Sequence, residues 1–173
     1  DSGFIKIDSL IIDGKSNFSF ATNIEEAQMM YLTIDRGTTN SIDDKIPFFA
    51  EPGTIEITSD LKQFYASAKI TGSKNQELIN EYKLINSKFT NQNLDYTKQI
   101  LNAQKHQLSH KLDSLLTLQS QNIKRKYLYT INFAITNKDK AVAPYIALSE
   151  IPDANVKYLD TIYKSLSPEI AKS

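Results

Sequence analysis

The feature that most constrains the fold is a change of hydrophobic period at residues 71–73. Before this point, apolar and polar residues alternate in short runs such as Thr54–Thr58, a pattern typical of half-buried strands. After it, apolar residues recur every three or four positions, which is the spacing of one helix face. The sequence therefore predicts an α+β protein, with an antiparallel β-sheet or sandwich in residues 1–72 followed by a helical part in residues 73–173.

Turn residues divide the first part into short predicted strands. Asp13-Gly14 separates the apolar-rich residues 4–12 from the alternating residues 18–20 and predicts a β-hairpin, because glycine accepts the positive φ of a tight turn. The alternation over residues 29–34 predicts another strand, and the polar residues 35–45 predict a loop.

Two further strands are predicted on either side of a proline-glycine pair. Pro52-Gly53 lies between Ile46–Ala50 and Thr54–Thr58 and favours a type II turn. Alternating apolar residues in 66–70 predict the last strand before the helical part.

The helical part begins at a recognisable N-terminal signal. Ser73 and Gln76 match the capping box, in which each side chain satisfies an exposed backbone N–H. Four leucines spaced by seven then predict one long helix that continues through Ile131, and these are Leu94, Leu101, Leu108 and Leu115. Because Lys98 and Lys105 occupy the second heptad position, the pattern favours a bundle helix over a dimeric coiled coil.

The last part of the chain predicts two shorter elements. Residues 137–140 break the helical pattern, and the short apolar segment Ala141–Leu148 follows. A final helix runs through Leu166, with Asp153 or Asn155 as its N-cap and Pro168 as its stop.

Composition excludes several classes of function. Lys plus Arg and Asp plus Glu both total 20, so no basic field is present for nucleic acid. The charge is uneven, since residues 1–72 hold 11 acidic and 6 basic side chains (net −5), whereas residues 73–173 hold 9 and 14 (net +5). No apolar run reaches the length of a transmembrane segment. The absence of cysteine excludes thiol catalysis, disulfides and thiolate metal sites.

One side-chain arrangement can be tested as a metal site. His106 and His110 are spaced by four, with Asp113 three residues later, and on one helix they could share a zinc ion. Metalloproteases need a glutamate directly after the first histidine, and Gln107 stands there. The group also faces away from the leucine stripe, which favours an exposed helix surface.

No other motif supplies a chemistry, and the carboxylate pairs Asp43-Asp44 and Glu25-Glu26 are interpreted as solvated loop residues. The basic cluster Lys124-Arg125-Lys126 is too short for a nucleic-acid or membrane interaction. The sequence therefore predicts no catalytic, cofactor-binding or metal-binding residue and no enzyme activity.

Tyrosine usage is the strongest sign of an interaction surface. Seven of the nine tyrosines lie in the helical part, namely Tyr82, Tyr96, Tyr127, Tyr129, Tyr145, Tyr158 and Tyr163. Tyrosine serves both the half-buried edge of a core and protein interfaces. Both interpretations stay open at this point.

Short blocks in the first half of the chain carry a family resemblance. They are Ile7-Asp8-Ser9, Asp13-Gly14-Lys15, Phe18-Ser19-Phe20, residues 46–53, Ile55-Glu56-Ile57, and residues 68–73 leading to Asn75. Across about residues 4–85 the chain resembles the uncharacterised domain found N-terminal to thioredoxin-like (AhpC/TSA-type thiol-disulfide oxidoreductase) domains in exported Bacteroidetes-type lipoproteins.

The resemblance implies a function outside catalysis. The chain would be an accessory module, periplasmic or anchored in the cell envelope, that positions a downstream thioredoxin-like domain or recognises its client proteins. It also implies that residues 1–72 lack an N-terminal strand and that the helical part ends in a linker to an absent downstream domain. The alternative is a stand-alone domain that binds a ligand in the cell envelope.

Overall fold

The computed structural model describes residues 5–37 and 41–172. Four strands come first, which are β1 (Gln28–Thr33), β2 (Lys45–Ala50), β3 (Glu56–Thr58) and β4 (Lys69–Thr71). Four helices follow, which are α1 (Lys74–Lys105), α2 (Ser109–Thr136), α3 (Val142–Glu150) and α4 (Val156–Ser165). Three short 3₁₀ turns lie at Ile42–Asp44, Leu61–Gln63 and Ile170–Lys172.

The order of elements confirms an α+β chain with strands before helices. In the part of the chain that the structure describes, the strands form two separate antiparallel pairs, β1 with β2 and β3 with β4. Gln28 lies opposite Ala50 in the first pair, and Glu56 lies opposite Thr71 in the second. These small sheets are what the structure shows of the predicted sheet or sandwich.

The predicted hairpin around Asp13-Gly14 is wrong. Gly14 has the expected positive φ of 67°, but residues 5–27 contain no strand. The side chains of Ile5 and Ile11 are 87% and 93% exposed. A two-stranded hairpin is marginal unless one face packs on a core, and here no such face is covered. Phe4, which begins the predicted apolar stretch, lies outside the described residues.

The later turns differ from the prediction in their connections. Gly53 has a positive φ of 136°, yet it joins strands of two different sheets rather than two paired strands. The last strand is also shorter than predicted, because a turn over residues 64–67 follows the 3₁₀ turn Leu61–Gln63 and the strand begins only at Lys69. Asp60 caps that turn, since its carboxylate accepts a hydrogen bond from the Lys62 N–H at 2.7 Å. In the predicted loop 35–45, a 3₁₀ turn occupies Ile42–Asp44 and β2 starts at Lys45.

The predicted single long helix is wrong, because the chain reverses at residues 106–108. Gln107 has a positive φ of 55°, and the Leu108 N–H donates to the carbonyl of Ala103 at 3.0 Å. Helices α1 and α2 then lie antiparallel as a helical hairpin, as the contact of Asn122 with the Phe89 carbonyl at 2.9 Å illustrates. The 32 residues of α1 would span about 48 Å, and folding back lets both helices bury a face against each other.

The inward face of α1 lies one residue away from the leucine stripe. Residues that are buried or partly buried recur in two sets spaced by seven, which are Ile79, Asn86, Asn93 and Ile100, and Tyr82, Phe89, Tyr96 and Ala103. Leu94 and Leu101 are 54% and 60% exposed, and among the four predicted leucines only Leu115 is buried. The interpretation of α1 as a bundle helix agrees with its packing, although the predicted inward register is wrong.

The first turn of α1 joins the strands to the helices. The Ser73 hydroxyl accepts a hydrogen bond from the Gln76 N–H at 3.1 Å, which confirms the predicted N-cap. The reciprocal half of the capping box is wrong, because the Gln76 side chain instead accepts from the Phe49 N–H of β2 at 2.8 Å. The Glu51 carboxylate accepts a hydrogen bond from the backbone N–H of Lys74. A residue next to β2 therefore caps the first turn of α1.

Helices α3 and α4 pack against the end of the hairpin away from its turn. One core cluster joins Ile131 and Ala134 of α2 to Ala147 of α3 and Ile162 of α4. Asn155 is the N-cap of α4, with its side chain accepting from the Lys157 N–H at 2.9 Å. Helix α4 ends at Ser165, three residues before Pro168. The division into residues 1–72 and 73–173 stays a prediction.

Candidate functional site

The structure separates the two histidines onto different elements. His106 is the C-cap of α1, and His110 is the second residue of α2 beyond the turn. Both side chains are exposed, as predicted, but the shared helix face is wrong because the chain reverses between them. His106 Nδ1 lies 2.8 Å from the carbonyl of Asn102. In the described ranges 5–37 and 41–172, no three His, Asp or Glu residues form a metal-binding group.

One of the predicted solvated carboxylates is instead buried. Asp44 is 5% exposed, and its Oδ1 accepts from Arg36 Nε at 2.6 Å. Arg36 also donates to the Leu61 carbonyl at 2.6 Å. This ion pair connects the end of β1 with the loops around β2 and β3, so its role is structural rather than that of a calcium site.

The concave surface with the best-defined chemistry is a groove between α2 and α4, called here the α2–α4 groove. It encloses about 230 Å³ and is lined by Ser120, Ile123, Lys124, Tyr127, Leu128, Ile131 and Tyr158. The groove exists because α3 and α4 cover only part of one face of α2. Ile131 on that face is buried by Ala147 and Ile162, whereas Ile123, two turns earlier, is 42% exposed.

Tyr127 fixes the polar end of the groove. Its hydroxyl donates to Asp153 Oδ1 at 2.7 Å, and this hydrogen bond raises the pKa of the tyrosine. The phenol therefore stays protonated and holds the loop before α4 against α2. The side chain presents its ring to the groove and its hydroxyl to the loop, an arrangement that suits a half-buried interface.

One cation of the basic cluster lines the groove and has no ion-pair partner among the described residues. Among the residues that the structure describes, neither Lys124, which lines the groove, nor the adjacent Arg125 forms an ion pair, whereas Lys126 binds Glu150 at 3.3 Å. Of the three neighbouring cations, Lys126 therefore has a structural role, and Lys124 leaves an unpaired charge at the groove. An unpaired cation at the edge of an apolar groove attracts a negatively charged partner.

The tyrosines divide between the two roles that the sequence left open. Tyr82 is fully buried and stacks on Tyr129 with ring centroids 5.3 Å apart, and Tyr145 makes an edge contact with Phe49 at 5.7 Å. These serve the core edge. Tyr127 and Tyr158 line the groove instead.

Sequence reasoning did not find this groove. The available signal was a second face of α2 at Leu116, Ser120, Ile123 and Tyr127, which lies beside the short basic cluster. That face could be recognised only after the chain reversal at residues 106–108 placed α2 in its own helix.

Comparison with known proteins identifies only the N-terminal segment. A domain of unknown function, DUF4369, matches residues 1–79, which include all four strands and the first turns of α1. No curated protein and no solved structure matches the chain. Within residues 5–37 and 41–172, no helix has both the length and the hydrophobicity of a membrane span. The N-terminal segment is thus similar to an uncharacterised domain, and the α2–α4 groove lies outside the matched residues.

Proposed function

We propose that this chain is a non-catalytic interaction module of an exported thiol-disulfide oxidoreductase-like protein. It would position the redox domain or recognise client proteins of that domain. The observation that carries the proposal is the α2–α4 groove, where aliphatic and tyrosine side chains adjoin the unpaired Lys124. Enrichment in tyrosine and arginine with a central apolar area is characteristic of protein interfaces.

The dimensions of the groove favour a protein over a small ligand. Pockets for small molecules commonly enclose about 300–1,000 Å³ and bury most of the ligand surface. The groove holds about 230 Å³ and is open along its side. It suits one or two side chains of a larger partner, which makes the stand-alone ligand-binding domain the weaker alternative.

The redox and location elements of the proposal have a separate basis. Thiol-disulfide exchange requires a thiolate, and this chain contains no cysteine, so the chemistry would come from another domain. The thioredoxin-like neighbour and the exported, periplasmic location are supported by the resemblance over about residues 4–85. They describe the context in which the interaction module would act.

A binding measurement with the neighbouring domain tests the proposal. The reading frame beyond Ser173 is first examined for a Cys-x-x-Cys thioredoxin pattern, and the encoded domain is titrated into isotopically labelled chain. We expect NMR chemical-shift changes and a measurable affinity. The Leu84→Glu variant, changed at an exposed leucine of α1, is the control and should bind with unchanged affinity. A stop codon at that point, or a downstream sequence without the pattern, would contradict the proposed context.

A further inference from the structure

We propose that the α2–α4 groove binds an amphipathic helix whose flanks carry acidic side chains. This inference rests on the proposed function, since it names the class of partner that the interaction module recognises. Three properties of the groove lead to this inference. They are its helical face, its backbone groups that are already hydrogen-bonded within helices, and the charges on its rim.

The exposed face of α2 has the spacing and length of a helix-packing surface. Leu116, Ser120, Ile123 and Tyr127 follow at intervals of four, three and four residues, and Leu116 and Ile123 are 46% and 42% exposed. The eleven steps from Leu116 to Tyr127 extend the face over about 16 Å, or three helical turns. Farther along the same helix, Ile131 is covered by α3 and α4. A partner helix would therefore continue a packing arrangement already present in this fold.

The backbone around the groove favours a helix over an added strand. A peptide that binds by strand addition needs free backbone N–H and C=O groups at a sheet edge. The groove is lined by side chains of α2 and α4, whose backbone groups are used within the helices. Its concave volume of about 230 Å³ instead accepts a large apolar side chain. Recognition of apolar residues at i, i+3 or i+4 and i+7 is the mode of a helix in a groove.

The charge on the rim selects an acidic partner. Two cations at the groove form no ion pair within the described ranges, namely Lys124 in its lining and Lys157, which precedes the lining residue Tyr158. Of the nearby carboxylates, Asp160 is paired with Lys164 at 2.6 Å. Asp153 accepts a hydrogen bond from the neutral Tyr127 hydroxyl and keeps its negative charge. Lys124 and Lys157 together outweigh Asp153, so the rim keeps an excess of positive charge beside an apolar floor. Glutamate or aspartate on the flanks of the bound helix complements it.

A second copy of this chain fits the groove poorly. Its acidic part, residues 1–72, forms strands and 3₁₀ turns but no α-helix in the described residues. Its helical part, residues 73–173, carries a net charge of +5 and would place cations against cations. A helix from another protein or domain is therefore the occupant that the charges favour.

Fluorescence anisotropy with designed peptides tests the inference. The probe is an 18-residue labelled helix with leucine at i, i+3 or i+4 and i+7 and glutamate on both flanks, and the control peptide has lysine in place of glutamate. We expect the acidic peptide to bind the whole chain at least tenfold more tightly than the basic one. Lys124→Glu should weaken acidic-peptide binding at least fivefold and strengthen basic-peptide binding, while Leu84→Glu leaves both unchanged.

Ile123→Glu provides a second variant at the apolar floor, with its fold checked by circular dichroism, and should abolish binding of the acidic peptide. Equal affinity for both peptides, or acidic binding insensitive to Lys124→Glu, would overturn the inference. Self-association of the wild type that Ile123→Glu removes would also overturn it, because a second copy would then occupy the groove. Binding of the redox domain at residues outside the α2–α4 groove would also overturn this inference, but the proposed interaction function would remain.

Discussion

At the scale of single residues, Tyr82 shows how this helical core accommodates a polar group. Its side chain is fully buried, packs on Tyr129 and Phe133, and places its hydroxyl 2.7 Å from Thr130 Oγ1. Thr130 in turn donates to the Lys126 carbonyl at 3.0 Å, which leaves the tyrosine as the donor in their shared hydrogen bond. The sequence showed an aromatic residue at helical spacing, but its partner lies 48 residues away and is defined only by the hairpin.

Replacement of Tyr82 by phenylalanine should therefore destabilise the protein without disturbing its packing. We expect the free energy of unfolding to fall by about 1–2 kcal/mol, because Thr130 loses its buried donor. Urea denaturation followed by circular dichroism measures the change. Tyr163→Phe is the matched control at a side chain that is 61% exposed and should have no measurable effect. Equal destabilisation by both variants would contradict the assignment.

Burial of Tyr82 also gives the stability an alkaline dependence. Burial raises the pKa of Tyr82 well above its ordinary value, and it raises the pKa of Tyr145 as well. Below about pH 10, where tyrosine is protonated in both states, this contribution is fully present. At higher pH the unfolded chain releases a proton that the folded chain retains, so the free energy of unfolding falls, by up to about 1.4 kcal/mol per pH unit per group.

Urea unfolding at pH 9.0 and pH 10.8 tests this dependence. The wild type should lose more stability between the two conditions than Tyr82→Phe, since the variant lacks the group with the raised pKa. The difference in phenolate absorbance at 295 nm between the wild type and Tyr82→Phe should rise together with unfolding, because the other eight tyrosines are common to both proteins. An identical loss in both proteins would exclude Tyr82 as the source.

Gln76 is the residue whose role the sequence misassigned most clearly. The capping-box pattern placed its side chain on the helix end, whereas it accepts the buried Phe49 N–H across the junction between β2 and α1. Gln76→Ala leaves that donor unsatisfied, and we expect a loss of about 1–3 kcal/mol in the free energy of unfolding. Gln92→Ala, at an exposed position of the same helix, is the control. The urea midpoints of the two variants are compared. A Gln76→Ala variant as stable as the wild type would contradict the role of the hydrogen bond between Gln76 and Phe49.

At the scale of elements, the α1–α2 hairpin has an unusually polar seam. Asn86, Asn93 and Asn122 each have a buried side-chain oxygen for which the described residues offer no hydrogen-bond donor. A buried unpaired acceptor lowers stability, and a polar seam position can fix helix register at that cost. Meanwhile Leu94 and Leu101 lie outside the seam. The leucine period therefore predicted helical structure correctly, but it missed the chain reversal at residues 106–108 and the inward face of α1.

Adjacent substitutions at positions 93 and 94 distinguish the two registers. Asn93→Leu should raise the free energy of unfolding by about 1 kcal/mol, because it removes an unpaired buried oxygen and adds apolar contact. Leu94→Asn should change it by less than about 0.5 kcal/mol, since Leu94 is 54% exposed. Thermal denaturation measures both. A large loss in Leu94→Asn with no gain in Asn93→Leu would restore the register predicted from the leucines.

At the scale of the whole molecule, residues 5–27 and the helical body, which consists of α1–α4, differ in packing. Residues 5–27 have no helix or strand, and seven large apolar side chains in this segment are exposed, which are Ile5, Ile7, Leu10, Ile11, Ile12, Phe18 and Phe20. Helices α1–α4 in contrast contribute to three buried clusters, one of which also contains Phe49 of β2. The junction at Glu51, Asn75 and Gln76 ties the strands to that body.

Limited proteolysis tests this division. Trypsin should cut after Lys6 and Lys15 well before it cuts after Lys83 or Lys98, because exposed backbone outside regular structure is the preferred substrate. Mass spectrometry of a time course identifies the first fragments, which should begin near residue 16. If trypsin cuts after Lys15 as slowly as after the lysines of α1, residues 5–27 pack on the helices in solution, which would contradict this division.

Local sequence patterns correctly predicted the order of strands before helices, strands near residues 29–34 and 46–50, the Ser73 N-cap and the end of the last helix before Pro168. These depend on interactions between residues close in the chain, so local patterns report them. The same patterns left Asp153 and Asn155 as alternative N-caps of that helix, and the structure shows Asn155. Sequence patterns did not reveal the reversal at residues 106–108, the inward seam at Asn93, the role of Gln76 or the α2–α4 groove. Each depends on contacts between distant residues, and no local period specifies which of two helical faces finds a partner.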